Sequence, residues 1–331
     1  MRLLIPLFFI GCATHVSLDV MEPAEINVPA PVQRLALVDR APSAHSFQVL
    51  YGLRDALAEG PRFEVVANEA AQAAYAAGRA TVGQSLGGLA SAALCKKTGA
   101  TGIVSLESVE VDDRWDWSER FEERSESQLL KREDGSTESV EVIKMVTVQQ
   151  ATLILDSTSV WELLDCEGNS QDKHTVTLQQ KRYGEGDTRA DAQLNTGSVD
   201  RLQRAMMGDV SRAYRSRISP WNSMVSRRLF RGGNRDIRAG RKAAVAGDWS
   251  NAYKRWKATA KKGNSDSPRA WVNLAVLNER KGNLTIALKY ARRAANAMNK
   301  GWVHAYVAKL EESIEKKTRL GEQLGPDSED G

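Results

Sequence analysis

Gly247-Asp-Trp-Ser-Asn-Ala252 recurs as Gly282-Asn-Leu-Thr-Ile-Ala287, 35 residues later. A self-match at that interval is the mark of a stacked helical repeat, and its reading decides the C-terminal third of the chain. Upstream of the second copy stand Trp271, Leu274 and Ala275, and downstream Ala291 and Ala294. The order is large, Leu, small on a first helix, then small residues on a second. Small side chains let two antiparallel helices approach, and large ones fill the space between them. Gly240, Ala252 and Trp256 take the same places in the first copy, and Tyr306 and Leu310 start a third that runs as a charged capping helix to about Gln323.

These offsets resemble the tetratricopeptide repeat over residues 233–320, with Asp236 standing where that family usually has a large apolar residue. The resemblance implies a concave groove lined by the first helix of each copy, in which peptides are held. It places Arg269, Val272, Asn273, Val276 and Arg280 on the groove side of the second copy and Ile237 and Arg241 on that of the first. Asn273 falls where the family often bonds a ligand backbone. The resemblance therefore names Arg241, Arg269, Asn273, Val276 and Arg280 as candidate partner-binding residues for a protein or peptide.

Upstream, the pattern changes. Gln33–Asp39 is an apolar run of strand length. Val49, Leu50, Leu53 and Leu57 are spaced for a helix that Gly60-Pro61 stops. Phe63–Val66 reads as a strand, Leu86–Thr98 as a helix, and Gly102–Leu106 as a strand extending to about Val111. The order β-α-β-α-β predicts a sheet with helical crossovers. Asp134-Gly135 then sits between two extended arms, the signature of a hairpin, the second arm being Val140–Asp156. Ser159–Asp165 and His174–Gln179 continue the period-two alternation. Ser198–Ile218 places Val199, Leu202, Ala205, Met206, Val210 and Ala213 on one helical face, and Pro220 ends it. The fold class is an α/β mixed-sheet domain over 33–230 followed by an all-α helical-repeat domain over 231–324, with an acidic tail over 325–331.

The N-terminus reads Met1-Arg2, an apolar run Leu3–Gly11, and Cys12. One cation before a short apolar run has the layout of a secretory signal, too short to span a bilayer. Phe9-Ile10-Gly11-Cys12 resembles the bacterial lipobox. The resemblance implies cleavage of a signal peptide over 1–11 and acylation of Cys12. Ala13, in place of the Asp associated with inner-membrane retention, favours the outer membrane. Residues 12–32, polar and dotted with Pro23, Pro29 and Pro31, read as a tether. Lipobox, tether, α/β part and repeats together resemble bacterial envelope lipoproteins. The strand Gln33–Asp39 and Ala100–Glu107 are architecturally similar to sheet domains of envelope assembly and secretion lipoproteins.

The chain has 331 residues, 42 % hydrophobic and 27 % charged, with a net charge of +4. That is a globular composition, and the length suits two domains. Arg201–Lys262 carries 17 Lys and Arg against three Asp, and Ser105–Val146 carries 13 acidic against six basic residues. These read as solvated faces, and no nucleic-acid-binding motif accompanies the basic segment. Gly83-Gln-Ser85-Leu-Gly87 matches a nucleophile elbow, with Asp156 or Asp165 and His174 in the hydrolase order. Only Ala80-Thr-Val82 stands where a well-formed strand must precede it, so the glycines read as a helix start. His15, His45, His174 and His304 share no ligand spacing, and no metal or other cofactor is expected. Cys95 and Cys166 could pair in an oxidising periplasm, but Cys95 reads as a simply buried residue of an apolar helix face. The expected role is a non-enzymatic, outer-membrane-anchored scaffold binding protein or peptide partners through its repeats. An oligomerising subunit of an envelope secretion or assembly complex is the alternative, and a serine hydrolase using Ser85 the third.

Overall fold

The computed structural model describes residues 14–40, 42–78, 86–133 and 135–325. Cys12, Ser85 and the acidic tail from 326 onward lie outside them. The chain forms two compact units. One comprises Glu25–Ser219; the other joins the N-terminus to Ala24 with Pro220–Gly331.

The first strand, β1 (Thr14–Glu22), belongs to the second of these units. The sheet unit follows, with β2 (Arg34–Asp39), α1 (Ala44–Ala58), β3 (Glu64–Val65), α2 (Asn68–Gly78), α3 (Gly88–Thr98), β4 (Gly102–Lys131), β5 (Thr137–Asp165), β6 (Ser170–Gly186), α4 (Arg189–Thr196) and α5 (Val199–Ile218). The sheet order is β3-β2-β4-β5-β6. β2 runs parallel to β3 and β4, and β4, β5 and β6 are antiparallel. This is the mixed sheet expected from the sequence. β2 is apolar on both faces because both are covered. Leu35 and Leu37 pack with Val49, Leu53 and Leu57 of α1 and with Met206, Val210 and Tyr214 of α5. Ala36 and Val38 pack on the other face with Ala71 of α2 and Leu94 and Cys95 of α3.

α1 starts at a reciprocal cap. The Ser46 N–H donates to Ser43 Oγ at 3.0 Å and the Ser43 N–H to Ser46 Oγ at 2.7 Å. Trp161 of β5 stacks on Tyr214 at 4.4 Å and 7° in the centre of the core, and burial pushes the Tyr214 phenol far up. Cys95 is not a simply buried thiol: it forms a disulfide with Cys166, joining α3 to the turn after β5.

The hairpin expected at Asp134-Gly135, of which Asp134 lies outside the described residues, is longer than its sequence pattern predicts. β4 continues past Val111 to Lys131, and β5 is one strand through Val140–Asp156 and Ser159–Asp165. β6 pairs with β5 only from Gln149 inward. Beyond it, Glu119–Lys131 and Thr137–Gln149 form a ribbon of two strands. Charged residues interrupt the alternation there, and they are tolerated because past the buried Val148 none of the ribbon's described residues is buried.

The second unit contains β1, β7 (Trp221–Leu229), α6 (Arg235–Val245), α7 (Trp249–Lys261), α8 (Ser267–Arg280), α9 (Leu284–Ala297) and α10 (Gly301–Leu324). α6–α7 and α8–α9 are the two copies of the repeat, and α10 covers the end. Ala252, Ala287, Ala291 and Ala294 are fully buried in the seams. Gly240 likewise lets two helices close up, since a Cβ there would sit 2.5 Å from Trp256 Nε1. Gly247 and Gly282, with φ of 84° and 74°, take the left-handed conformation that reverses the chain between the helices of each copy.

Of the expected tether over 12–32, the described part, from Thr14 onward, is not one. Thr14–Glu22 pairs antiparallel with β7 over nine residues, from Thr14↔Leu229 to Glu22↔Trp221. Val16 and Leu18 face the helices and are buried. The period-two pattern Thr14-His-Val16-Ser-Leu18-Asp-Val20 makes the strand, and Pro23 ends it. Gln323 of α10 fixes that end, accepting from the Ala24 N–H at 2.8 Å and donating to its carbonyl at 3.1 Å. Downstream, Val28 and Val32 are buried in the sheet unit. The same pairing moves the sheet-domain boundary from the expected 230 to Ser219, because β7 belongs with β1 and the helices.

Candidate functional site

α8 carries most of the residues that the repeat resemblance assigns to a groove. It is buried without a break from Trp271 to Glu279. α7 and α9 flank it, and the inner face of the β1–β7 pair packs against it. Asn273 Oδ1 accepts from the Phe230 N–H at 2.8 Å, and Asn273 Nδ2 donates to the Phe230 carbonyl at 3.4 Å. The side chain therefore does bind an extended backbone, but the backbone is the chain's own, one residue past β7. Val276 is 1 % exposed, and Val272 and Ile237 are fully buried. Arg241 donates to Thr14 Oγ1 at 2.6 Å. Arg269 pairs with Asp266 at 2.8 Å. The assignment of Asn273 and Val276 to an open peptide groove is thus corrected. That face is filled in cis, and of the five residues named for it only Arg280 is exposed.

A buried polar cluster fixes the filling segment, and sequence pattern gave no sign of it. Glu279, 4 % exposed, accepts from Arg227 Nε at 2.8 and 3.0 Å and from Tyr306 OH at 2.7 Å. Arg227 Nη2 lies 2.7 Å from Glu279 Oε1. One carboxylate thereby ties β7 to α8 and α10. Burial, with the Glu279 charge as the second cause, raises the Tyr306 phenol well above its ordinary range. Unpaired in sequence and about 50 and 30 residues apart, these three groups carry no motif by which to find them.

What remains open is a trough beside β1. A cleft of about 530 Å³ runs along His15–Asp19, walled by Val245, Gly247, Trp249 and Arg280. A second, of about 310 Å³, runs along Asp19–Glu22 and is walled by Arg280, Gly282, Leu284 and Lys317. Arg280 and Asp19 border both. The Arg280 guanidinium lies 5.0 Å from the centre of the Trp249 ring. The trough can therefore offer a flat apolar wall, exposed cations and the Asp19 carboxylate, a set suited to holding polypeptide.

The hydrolase residues are not assembled among the described residues. His174 lies opposite Trp161 in the β5–β6 pair, four positions from Asp165, about 13 Å along the strand. Asp165 accepts from the N–H groups of Glu167 and Asn169 and closes the turn before β6. Asp156 is engaged by Gln179 and Arg114. Among the described residues, no group of His, Cys, Asp and Glu could hold a metal ion. No helix among them is long and apolar enough to cross a membrane.

Residues 238–312 match a family model described as a domain of unknown function, DUF6340. The match starts inside α6 and ends inside α10, so it spans the repeats and neither strand of the β1–β7 pair. No curated protein matches the chain.

Proposed function

We propose that the chain is a non-enzymatic envelope lipoprotein, acylated at Cys12 and anchored to the outer membrane, whose helical-repeat unit binds protein or peptide partners. The observation that carries this reading is the position of the folded unit relative to the lipobox-like Phe9-Ile-Gly-Cys12. β1 starts at Thr14, two residues after the cysteine. Acyl chains on Cys12 would hold the repeats and the trough beside β1 at the bilayer with almost no slack. Two or more chains give stable anchoring where one is marginal. The Cys95–Cys166 disulfide adds support, since such a bond persists in an oxidising compartment such as the periplasm. The test is metabolic labelling with a palmitate analogue, together with membrane fractionation and cross-linking on intact cells. Wild type should be labelled, sediment with outer membrane and cross-link to a protein. Cys12→Ala should lose the label and leave the membrane. Equal labelling or equal membrane association of the variant would refute the anchor.

A second reading, an oligomerising subunit of an envelope secretion or assembly complex, is favoured by the outer β4–β5 ribbon. Phe121, Leu129, Ile143 and Met145 are all exposed and, by the strand register, all lie on one face of it. Sedimentation velocity over a range of concentrations tests it.

A further inference from the structure

The walls of the two clefts repeat. Val245, Gly247 and Trp249 border the first, and Arg280, Gly282 and Leu284 the second. Each residue of one set stands 35 positions from its counterpart, the interval of the helical repeat. Both sets form the tight turn between the two helices of a copy. Nothing lies within 4 Å of where a Cβ on Gly247 or Gly282 would sit, so each turn leaves open space beside it. β1 supplies the facing wall of both clefts, through His15–Asp19 and then Asp19–Glu22. Consecutive residues border the clefts, whereas one face of a strand would present alternate ones. The trough therefore follows the edge of β1. β7 takes the other edge, and among the described residues no strand takes this one. Over eight residues the edge is about 27 Å long. Its unpaired N–H and C=O groups are matched by another extended backbone and by little else.

We propose that the free edge of β1 captures an extended peptide segment of a partner protein by strand addition, with side chains seated in two equivalent subsites built by the repeat turns. The inference rests on the partner-binding reading above and gives it a mode and a place outside the filled concave face. The first subsite has the Trp249 ring as an apolar wall and the second has Leu284 and Leu320. Arg280 stands at the junction and Lys317 borders the second. Neither forms an ion pair among the described residues, and Asp19 is the carboxylate that borders both subsites. The segment that fits carries an apolar side chain over Trp249 and an acidic one within reach of Arg280 and Lys317.

The test uses the full chain and a phage-displayed library of random dodecapeptides. Enriched peptides are synthesised, their binding is measured by fluorescence anisotropy, and amide exchange in His15–Glu22 is followed with and without them. Peptides combining apolar and acidic residues should be enriched. They should slow exchange at alternate amides of β1, those that point away from β7. Arg280→Glu and Lys317→Glu, both exposed, should keep the circular dichroism spectrum and weaken binding about tenfold or more. Peptides that bind but slow no β1 amide, or bind both variants as well as wild type, would overturn the strand-edge mode and leave the partner-binding reading standing. Failure to enrich any peptide would overturn it too. So would protection of β1 that appears only as protein concentration rises, which would make a second copy the occupant. The partner-binding reading is judged separately, by cross-linking on intact cells.

Discussion

The chain builds two antiparallel ribbons of two strands, and they differ in what covers them. β1 and β7 are joined across nearly 200 residues of intervening sequence, yet their inner face is sealed against α8 and pinned by Arg227–Glu279–Tyr306 and by Asn273. The outer part of β4–β5 joins strands adjacent in sequence, and past Val148 none of its described residues is buried, with four large apolar side chains exposed on one face. An isolated pair of strands is marginal in water, so cover is what makes such a ribbon part of a core. The distant pair has become structural, and the local pair has been left as a surface.

The largest effect should follow from attacking the covered ribbon. Leu18 is 2 % exposed, and Leu18→Asp removes its apolar burial and places a carboxylate against α8. The cost should be about 4 kcal/mol, lost from the unfolding transition of the helical unit. Phe121→Asp on the open ribbon should change the melting profile by less than about 0.5 kcal/mol. Equal losses in the two variants, read by calorimetry, would erase the distinction between the ribbons.

A smaller effect is expected at the pin. Glu279→Gln leaves the shape but strands the Arg227 guanidinium, which should cost about 3 kcal/mol. Tyr306→Phe, which removes one hydrogen bond, should cost about 1 kcal/mol. The raised Tyr306 phenol adds a pH dependence with a definite sign. The folded state holds this proton more tightly than the unfolded state, whose tyrosines titrate near pH 10. The stabilisation is complete below that pH and is lost as pH rises above it. Tyr306→Phe should flatten the alkaline limb of the helical unit's stability curve; an unchanged limb would remove Tyr306 from the account.

The contrast between the ribbons also explains what could be read from sequence. The hairpin was legible because Asp134-Gly135 and the flanking alternation are local signals, although the charges in its arms hid its length. The repeat was legible because Gly247 and Gly282 mark equivalent turns at a fixed interval. β1 was obscured: its alternation is clear once sought, but Pro23, Pro29 and Pro31 pull the whole segment toward a tether. No local feature says that Leu18 opposes Val225. The groove assignment failed for the same reason. The repeat resemblance implies that the Asn273 amide bonds a backbone, and a non-local strand pairing decides that the backbone is that of Phe230.

Asn273 therefore gives a sharper test than its groove reading supplied. With the groove filled in cis, Asn273→Ala should act on stability, at about 1–2 kcal/mol for a buried side chain bonded at both ends to Phe230. It should leave partner capture unchanged once the folded fraction is accounted for. Loss of capture at full folding would return the concave face to the candidate sites.

The smallest expected effect on stability has the largest bearing on the open ribbon. Phe121, Leu129, Ile143 and Met145 are mostly exposed, so replacing Phe121 and Ile143 together by Ser should cost less than about 0.5 kcal/mol. Their exposure on one face is costly to retain in a soluble monomer unless something covers it. Among the described residues no strand pairs with either edge of the ribbon outward of Gln149, which leaves a template for adding strands. If copies of the chain associate through this ribbon, the double Ser variant should sediment as a monomer at concentrations where wild type is larger, with an unchanged melting profile. If the two chains sediment alike, the ribbon does not join copies of the chain. The β1–β7 pair, covered on one face and with no strand on the outer edge of β1 among the described residues, would then be the part of the molecule where association is to be sought.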